Sequence, residues 1–311
     1  MADILCDEFN YVVTDEYEGM RVDKLISELI DSLSRSYIKK LIDDDKVSVN
    51  GKVVKASYTV SEGDSILMQI PPLKVPEIKP EDIPLDILYE DEDVIVVNKP
   101  KGMVVHPAAG HYEGTLVNAL MFHCRDNLSG INGVMRPGIV HRIDKDTTGS
   151  VIACKNDFAH KNIAEQLKEH TINRIYHAIC IGIIKEDEGD IEAPIGRSPG
   201  DRKKMAVLKS GGKNAFTHYR VLKRFEAQNL TYIECKLKTG RTHQIRVHMA
   251  SIGHPLLGDE TYGPKKKTNL HTEGQCLHAK ILGFVHPVTG QYIETDAPLP
   301  EYFSHLIETM K

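Results

Sequence analysis

Apolar residues recur at helical spacing near the start of the chain. Residues 20–33 carry apolar side chains three and four positions apart, which predicts a helix. A second short helix is predicted over residues 34–45, with Ser34 as its N-cap. Residues 46–54 then predict two strands joined by an Asn50-Gly51 turn, and one more strand ends near residue 71. The chain therefore begins with a small α+β unit.

Beyond residue 89 the pattern changes to many strands with a few helices. Strands are predicted over 93–100, 174–184, 214–225 and 230–240, and helices over 114–123 and 157–170. A further helix is predicted to begin near Thr242 and to end at Gly253. We therefore expect an α+β fold in which a mixed, mostly antiparallel sheet carries helices.

Prolines mark the division between these two parts. Residues 71–84 contain five of them, a density that favours an extended, semi-rigid spacer. The predicted organisation is an N-terminal extension over 1–17, a small domain over 18–75, a Pro-rich acidic linker over 76–88 and a large domain over 89–311.

Composition and charge exclude few classes of protein. No apolar run is long enough to span a bilayer and no leader pattern opens the chain, so we expect a cytoplasmic protein without membrane contact. The six cysteines form no close pair, which argues against a disulfide framework and a zinc knuckle. Residues 76–93 hold eight acids and one lysine, so this segment carries a charge of −7, whereas the whole chain carries −5. The remainder carries +2, so the charge does not exclude a polyanionic partner.

The segment "GIVHRIDKDTTGS", residues 138–150, concentrates charge on a predicted turn between two short strands. Asp144 and Asp146 stand there among basic side chains, and each acid is either a turn-capping group or a reagent. Arg241, at the start of the predicted helix, stands where a carboxylate or a phosphate could be held, or where a structural Arg–Asp pair could form. Tyr176 is a strand tyrosine of the kind usually found in a core.

The first unit resembles the α-L RNA-binding domain that also occurs in a ribosomal small-subunit protein. The resemblance rests on Arg21, Asp23, Leu25, Ser34-Arg35-Ser36, Ile42, Val47, Val49-Asn50-Gly51, Val60 and Gly63-Asp64. In that family the second helix and the following hairpin present basic side chains to RNA. The resemblance thus implies phosphate contacts by Arg35, Lys39, Lys40, Lys52 and Lys55, although these side chains could also be a plain solvated face.

The second unit resembles the RluA family of pseudouridine synthases, and within it the subgroup of ribosomal large-subunit synthase D. Its ordered motifs are "VNKPKGMVVHP", "GIVHRIDKDTTG", "RIYHA" and "KTGRTHQIRVHM", with "APIGRSPGDRKKMAV" as a further match. The resemblance implies a pseudouridine synthase fold, a ribosomal RNA substrate and no cofactor. It also implies that Asp144 is the catalytic aspartate, that Arg241 pairs with it, that Tyr176 stacks on the target base and that Arg142 fills the gap left by the flipped nucleotide.

Other polar residues receive structural or RNA-binding interpretations. We interpret Asp146 as a turn residue that accepts neighbouring N–H groups, and His141 as a packed histidine rather than a base. Arg202, Lys203 and Lys204 lie in a Gly- and Pro-bearing loop that is predicted to grip RNA. We expect no metal site and no obligate protein partner.

Three other functions remain open at this point. The chain could be a non-catalytic RNA-binding protein of the same fold, although Asp144, Tyr176 and Arg241 are all present. It could be a hydrolase that uses both Asp144 and Asp146, or a metal enzyme built on its histidines. Survival of activity in a strong chelator would separate the last of these from a synthase.

Overall fold

The computed structural model describes residues 8–30, 32–71, 78–107, 111–125, 127–133, 136–201, 204–264, 270 and 272–311. It divides into two compact units, Met1–Pro76 and Glu77–Lys311. Arg202 and Lys203 lie outside the described residues. In the part of the chain that is described, no helix combines the length and the apolar character that crossing a membrane needs.

The first unit packs two helices on a small antiparallel sheet. Its elements are β1 Glu8–Val12, α1 Val22–Leu29, α2 Arg35–Asp43, β2 Val47–Val49, β3 Lys52–Val53 and β4 Ser65–Gln69. The sheet order is β1-β4-β2-β3. Helix α2 begins where predicted, because the Ser34 side chain accepts the N–H of Tyr37. Asn50 and Gly51 both adopt positive φ, which the two-residue turn between β2 and β3 requires.

Both predicted boundary segments are partly structured. Residues 8–12, predicted as an extension, form strand β1 and pair with β4. Ile78, predicted as linker, is buried in the main core of the second unit. The carboxylate of Glu81 accepts the N–H of Gly114 at 3.0 Å, so this acidic stretch is anchored to the second unit.

The second unit contains the remaining elements, β5 Ile87–Glu90, β6 Val94–Lys99, α3 Leu116–Cys124, β7 Thr148–Cys154, α4 Asp157–Lys168, β8 Asn173–Ile181, β9 Glu188–Glu192, β10 Ile195–Arg197, β11 Met205–Val207, β12 Phe216–Phe225, β13 Leu230–Leu237, α5 Gln244–Ser251, β14 Leu277–Val285, β15 Tyr292–Asp296 and α6 Glu301–Thr309. The predicted α+β class with a mixed, mostly antiparallel sheet is confirmed. Among the described strands, only β7 and β14 pair in parallel.

The large sheet has the order β5-β6-β7-β14-β8-β13-β12-β9, and β15 pairs with β14. Successive residues of β6 enter different cores, since Ile95 packs in the cluster with α3 and α5 while Val96 packs in the cluster with α4. Helix α6 covers the same face as α4 through Phe303. Strand alternation thus produces a helix layer on each face, and Tyr176 of β8 points toward the α3 and α5 side.

The structure departs from two local predictions around the polar motifs, from one in kind and from the other by two residues. Gly138 to Val140 do not form a strand, and Ile139 makes only an isolated bridge to Ala153. Helix α5 begins at Gln244 rather than near Thr242, because His243 adopts a left-handed conformation with φ 56°.

Candidate active site

A cavity of about 530 Å³ is lined by residues of β8, of α4 and α5, and of the loops before β7 and α5. Its walls bring together four of the predicted site residues, Arg142, Asp144, Tyr176 and Arg241. They come from the loop before β7, from β8 and from the loop before α5. A cavity of this size is in the range of small-ligand sites and is large enough for one extruded nucleotide base.

The loop that carries Asp144 is fixed by backbone contacts. The carbonyl of Asp144 accepts the N–H of Thr147 at 3.1 Å. The next carbonyl, that of Lys145, accepts the Gly102 N–H at 3.1 Å and the Nζ of Lys99 at 3.0 Å. Burial lowers the pKa of Lys99 to about 7, while Asp146 and Asp144 act in the opposite direction. The "NKPKG" turn therefore holds the Asp144 loop through its hydrogen bonds to the Lys145 carbonyl.

Asp144 is paired with Arg246. The Nη1 of Arg246 donates to the Oδ2 of Asp144 at 2.8 Å, and the Asp144 side chain is 18% exposed. Arg246 is in turn held by Asp259, through Nε to Oδ2 at 2.7 Å and Nη2 to Oδ1 at 2.9 Å. Burial alone would lower the pKa of Arg246, but Asp259 and Asp144 raise it, so the guanidinium stays charged. The carboxylate of Asp144 is thus aimed by an arginine that is itself immobilised.

The predicted pairing of Arg241 with Asp144 is therefore corrected. Arg241 precedes the left-handed residue His243, and its Nε donates to the carbonyl of Asn214 at 2.9 Å. Arg246 lies in the first turn of α5 and faces inward, with 6% of its surface exposed. Sequence reasoning missed Arg246 because its position depends on where the helix starts. The sequence signal that could have indicated Arg246 was its position directly after Ile245, which faces inward.

His243 is a second neighbour of Asp144. Its Nε2 lies 3.7 Å from the Oδ1 of Asp144, and its Nδ1 lies 2.8 Å from the Tyr262 hydroxyl. Burial lowers the pKa of His243, while Asp144 acts in the opposite direction. Left-handed backbone at a residue other than glycine is uncommon and concentrates at functional sites. The sequence motif gave no indication of this conformation.

Tyr176 and Arg142 line the cavity as predicted. The Tyr176 ring is 9% exposed, and burial raises the pKa of its hydroxyl. Arg142 is exposed, and its Nη1 lies 3.3 Å from the Nε2 of His106. The Nδ1 of His106 contacts the Pro107 carbonyl at 3.1 Å and must donate to it, so Nε2 is free to accept from Arg142. The arginine is therefore positioned without neutralisation of its charge.

The structure bears on three further sequence interpretations, and it contradicts the one made for Asp146. Among the described residues, no turn N–H donates to the carboxylate of Asp146, whose Cβ instead lies against Gly274. The Nε2 of His141 accepts the Ile152 N–H at 3.0 Å, and desolvation lowers the pKa of His141 to about 3, in keeping with a packed neutral ring. Lys204 is half-buried, and its backbone pairs with Ser198 beside β11.

The five basic residues predicted to contact RNA in the first unit are all exposed, namely Arg35, Lys39, Lys40, Lys52 and Lys55. Arg35 is also held in place, because its Nη2 donates to the Oδ2 of Asp23 at 2.9 Å. The same carboxylate receives Arg21 through Nε to Oδ1 at 3.0 Å. Asp23 is buried, so it fixes two exposed guanidinium groups on one face of the unit.

One group of side chains in the described ranges has the spacing of a metal site. Ligand atoms of Asp91, Asp93 and His286 lie within 4.8 Å of one another. The Nδ1 of His286 accepts the N–H of Val288 at 3.3 Å and that of Thr289 at 3.1 Å, so the ring proton is on Nε2. That Nε2 meets Asp91 at 2.7 Å and has no lone pair for a metal. The group is better explained as a hydrogen-bonded turn.

A small unit with exposed basic side chains, together with a carboxylate held in a cavity beside an aromatic ring, fits an RNA-modifying enzyme. Two family models agree with this class. The model described as RNA pseudouridylate synthase matches residues 93–251, and the S4 domain model matches residues 20–66.

Similar proteins support the same assignment over the whole chain. The RNA pseudouridine synthase YlyB of Bacillus subtilis is 51% identical over 98% of this chain and 99% of its own. The ribosomal large subunit pseudouridine synthase D of Zymomonas mobilis is 48% identical over 93% of each chain. Among solved structures, human RNA pseudouridylate synthase domain containing 1 superposes with a TM-score of 0.58 at 26% identity, over 71% of this chain and 85% of that one.

The chain belongs to the RNA pseudouridylate synthase family, with an S4 domain at its N-terminal side. It is accordingly an isomerase that acts on uridine in RNA, as the sequence predicted.

Proposed function

We propose that this protein converts specific uridines of large-subunit ribosomal RNA to pseudouridine. The proposal takes its substrate from relatives named ribosomal large subunit pseudouridine synthase D, which are 43–48% identical to this chain. It includes a cytoplasmic location and RNA as the principal partner. The observation that carries it is the Asp144–Arg246 ion pair, 2.8 Å long, at a cavity also lined by Tyr176.

The proposed reaction breaks the bond from ribose C1′ to N1 of uracil and forms a bond from C1′ to C5. The C5 proton is lost and N1 gains a proton, so nothing is oxidised or hydrolysed. A duplex hides these atoms, and the target nucleotide must therefore be flipped out of the stack. Arg142, exposed at the cavity mouth, would fill the space left behind.

Asp144 acts in this proposal as the nucleophile or the base, and either role requires an ionised, oriented carboxylate. Arg246 provides the orientation, because Asp259 fixes its guanidinium in two further hydrogen bonds. Tyr176 presents its ring for stacking on the base, an interaction worth roughly 1–3 kcal/mol per base.

The first unit would supply affinity rather than chemistry. Its exposed lysines Lys39, Lys40, Lys52 and Lys55, together with Arg35, are proposed to contact phosphates. The loop that precedes β11, with Arg202, Lys203 and Lys204, is proposed to grip RNA in the second unit. Such contacts set register on the RNA and carry no base specificity themselves.

The test is to express the protein in a bacterial host that lacks its own synthase of this type and to map pseudouridines on ribosomal RNA. We expect new pseudouridines at a small number of large-subunit positions, and none with Asp144→Asn. Binding to ribosomal RNA without any new pseudouridine would favour the non-catalytic RNA-binding alternative.

A further inference from the structure

Arg174, the second residue of β8, is a buried arginine with no acidic partner among the described residues. It is 7% exposed, and its Nη2 donates to the Lys238 carbonyl at 3.3 Å. Its Nε is buried and meets no hydrogen-bond partner in the described part of the chain. Burial lowers the pKa of Arg174, and the nearby charge of Arg241 acts in the same direction. A buried, uncompensated cation of this kind costs folding free energy.

The surrounding backbone makes room for this guanidinium. A Cβ at Gly240 would come 2.6 Å from the Nη1 of Arg174, so the guanidinium would have to move. Gly240 does not have positive φ, so the absence of a side chain there is explained by contact rather than by backbone strain. Arg174 and Gly240 both line the cavity that contains Asp144.

Arg241 brings a second positive charge to the same wall. Its Nε donates to the Asn214 carbonyl, and within the described ranges none of its nitrogen atoms pairs with a carboxylate. Asp144, the one carboxylate among the described residues that line this cavity, is already paired with Arg246. This wall therefore carries two guanidinium groups without a counter-ion from the described chain.

We propose that Arg174 and Arg241 together bind one phosphodiester of the substrate RNA, next to the uridine that stacks on Tyr176. Arg174 and Tyr176 are two residues apart on β8 and share a face, so an anion at Arg174 lies beside the stacked base. A guanidinium presents a planar fork of donors that matches phosphate oxygens. The inference rests on the proposed function, because its ligand is RNA.

The experiment measures RNA affinity at several salt concentrations. It uses an unmodified transcript of the ribosomal RNA segment mapped above, with every variant placed in the Asp144→Asn protein so that no turnover occurs. Arg174→Met should weaken binding about 10-fold. It should also reduce the slope of log affinity against log salt by about 0.7 to 0.9, the value for one phosphate. The double variant Arg174→Met and Arg241→Met should reduce this slope by no more than Arg174→Met alone, because both arginines bind the same phosphate.

The matched control is Arg220→Met. Arg220 is an exposed arginine of β12 that pairs with Glu234 at 3.1 Å, away from the cavity lining. Its removal takes the same charge from the same unit and should leave affinity and salt slope unchanged. If Arg220→Met lost as much RNA affinity and salt slope as Arg174→Met, the effect would come from net charge, and the proposed phosphate site would be wrong.

Gly240→Ala provides an independent test that keeps both arginines. The new Cβ displaces the Arg174 guanidinium, so RNA affinity should fall severalfold. In the Arg174→Met background, Gly240→Ala should leave RNA affinity unchanged, since the guanidinium is already absent. An equal loss of RNA affinity in both backgrounds would mean that Gly240 affects binding independently of Arg174, which would contradict the proposal.

A structural role makes different predictions. If Arg174 served only the fold, Arg174→Met would lower the unfolding midpoint in urea and leave the affinity of the folded protein unchanged. We expect the midpoint to be retained or raised, because an unpaired buried charge is removed. In the protein with Asp144 intact, a lower saturated single-turnover rate at unchanged affinity would show that Arg174 acts on the base instead. Failure of the wild-type protein to form pseudouridine would refute the proposed function, whatever Arg174 does in binding.

Discussion

At the scale of single residues, a chain of ion pairs runs from Asp144 to Arg246 and on to Asp259. The Asp259 side chain is fully buried, and it also accepts the N–H groups of Thr261 at 2.9 Å and Tyr262 at 3.1 Å. Burial would raise the pKa of Asp259, but the hydrogen bonds and charge of Arg246 hold it below its usual range. The carboxylate of Asp144 is thus oriented by a guanidinium that Asp259 holds in place.

Asp144→Asn is expected to abolish pseudouridine formation and to leave RNA affinity nearly intact. The change is isosteric and removes the nucleophile or base but no phosphate contact. Single-turnover rates and binding curves on one RNA check both parts. Asp146→Asn is the control and should retain substantial activity, and the reverse result would show that the reactive acid has been misassigned.

Arg246→Lys is expected to lower the single-turnover rate by about 100-fold, since a lysine cannot hold Asp259 in two bonds and still reach Asp144. Arg241→Lys should affect the rate at saturating RNA only weakly, because Arg241 does not contact Asp144. The two variants are compared by rate at saturating RNA. A large loss of rate in Arg241→Lys with little in Arg246→Lys would restore the pairing predicted from sequence.

Tyr176→Phe is expected to be much milder than Tyr176→Ala, because the ring supplies stacking worth roughly 1–3 kcal/mol. The Phe variant keeps the ring and the packing of a side chain that is 9% exposed. Rates and affinities of both variants on the same RNA provide the measurement. Equal and complete loss in both would assign an essential proton step to the hydroxyl.

At the scale of elements, the parallel contact between β7 and β14 lies next to the Asp144 loop. Gly149 pairs with Ala279 there at φ 106°, and a Cβ at this position would overlap the Ala279 backbone. Only glycine therefore allows the strand that follows the loop to approach its neighbour. This explains the glycine at the end of the motif.

Gly149→Ala is expected to destabilise the protein by about 3 kcal/mol, from left-handed strain together with overpacking. Urea unfolding followed by circular dichroism measures the change. The control is Gly200→Ala, since nothing lies within 4 Å of a Cβ there and φ is not positive. Comparable midpoints for the two variants would show that β7 and β14 can separate at little cost.

At the scale of the whole molecule, the two units divide affinity from chemistry in our proposal. Replacement of Lys39, Lys40, Lys52 and Lys55 by glutamine should weaken RNA binding and flatten its salt dependence. Each lost phosphate contact removes about 0.7 to 0.9 from the slope. The single-turnover rate at saturating RNA should change little, because these side chains belong to the first unit. An unchanged slope would remove this face from RNA binding, and a collapsed saturated rate would assign the first unit a part in catalysis.

The sequence by itself determined most of the elements and the order of the motifs. The Ser34 cap, the Asn50-Gly51 turn and the helical spacing of α1 are local signals, since each depends on residues a few positions apart. The α+β class followed from such patterns, whereas the family was indicated by the resemblance of the ordered motifs to those of known synthases. Asp144, Tyr176 and Arg142 could also be predicted to lie at one site, because each stands inside a recognisable motif.

Only the tertiary structure decided which arginine pairs with Asp144. Arg241 and Arg246 stand five residues apart in one motif, and the start of α5 selects between them, because each helical residue turns the side-chain direction by about 100°. Arg246 and Asp144 are 102 residues apart, a separation no local pattern encodes. The buried Arg174 and the space left by Gly240 likewise exist only where β8 and the loop after β13 come together. Local propensities indicate which elements form and roughly where, whereas the pairing of buried charges depends on how distant elements pack.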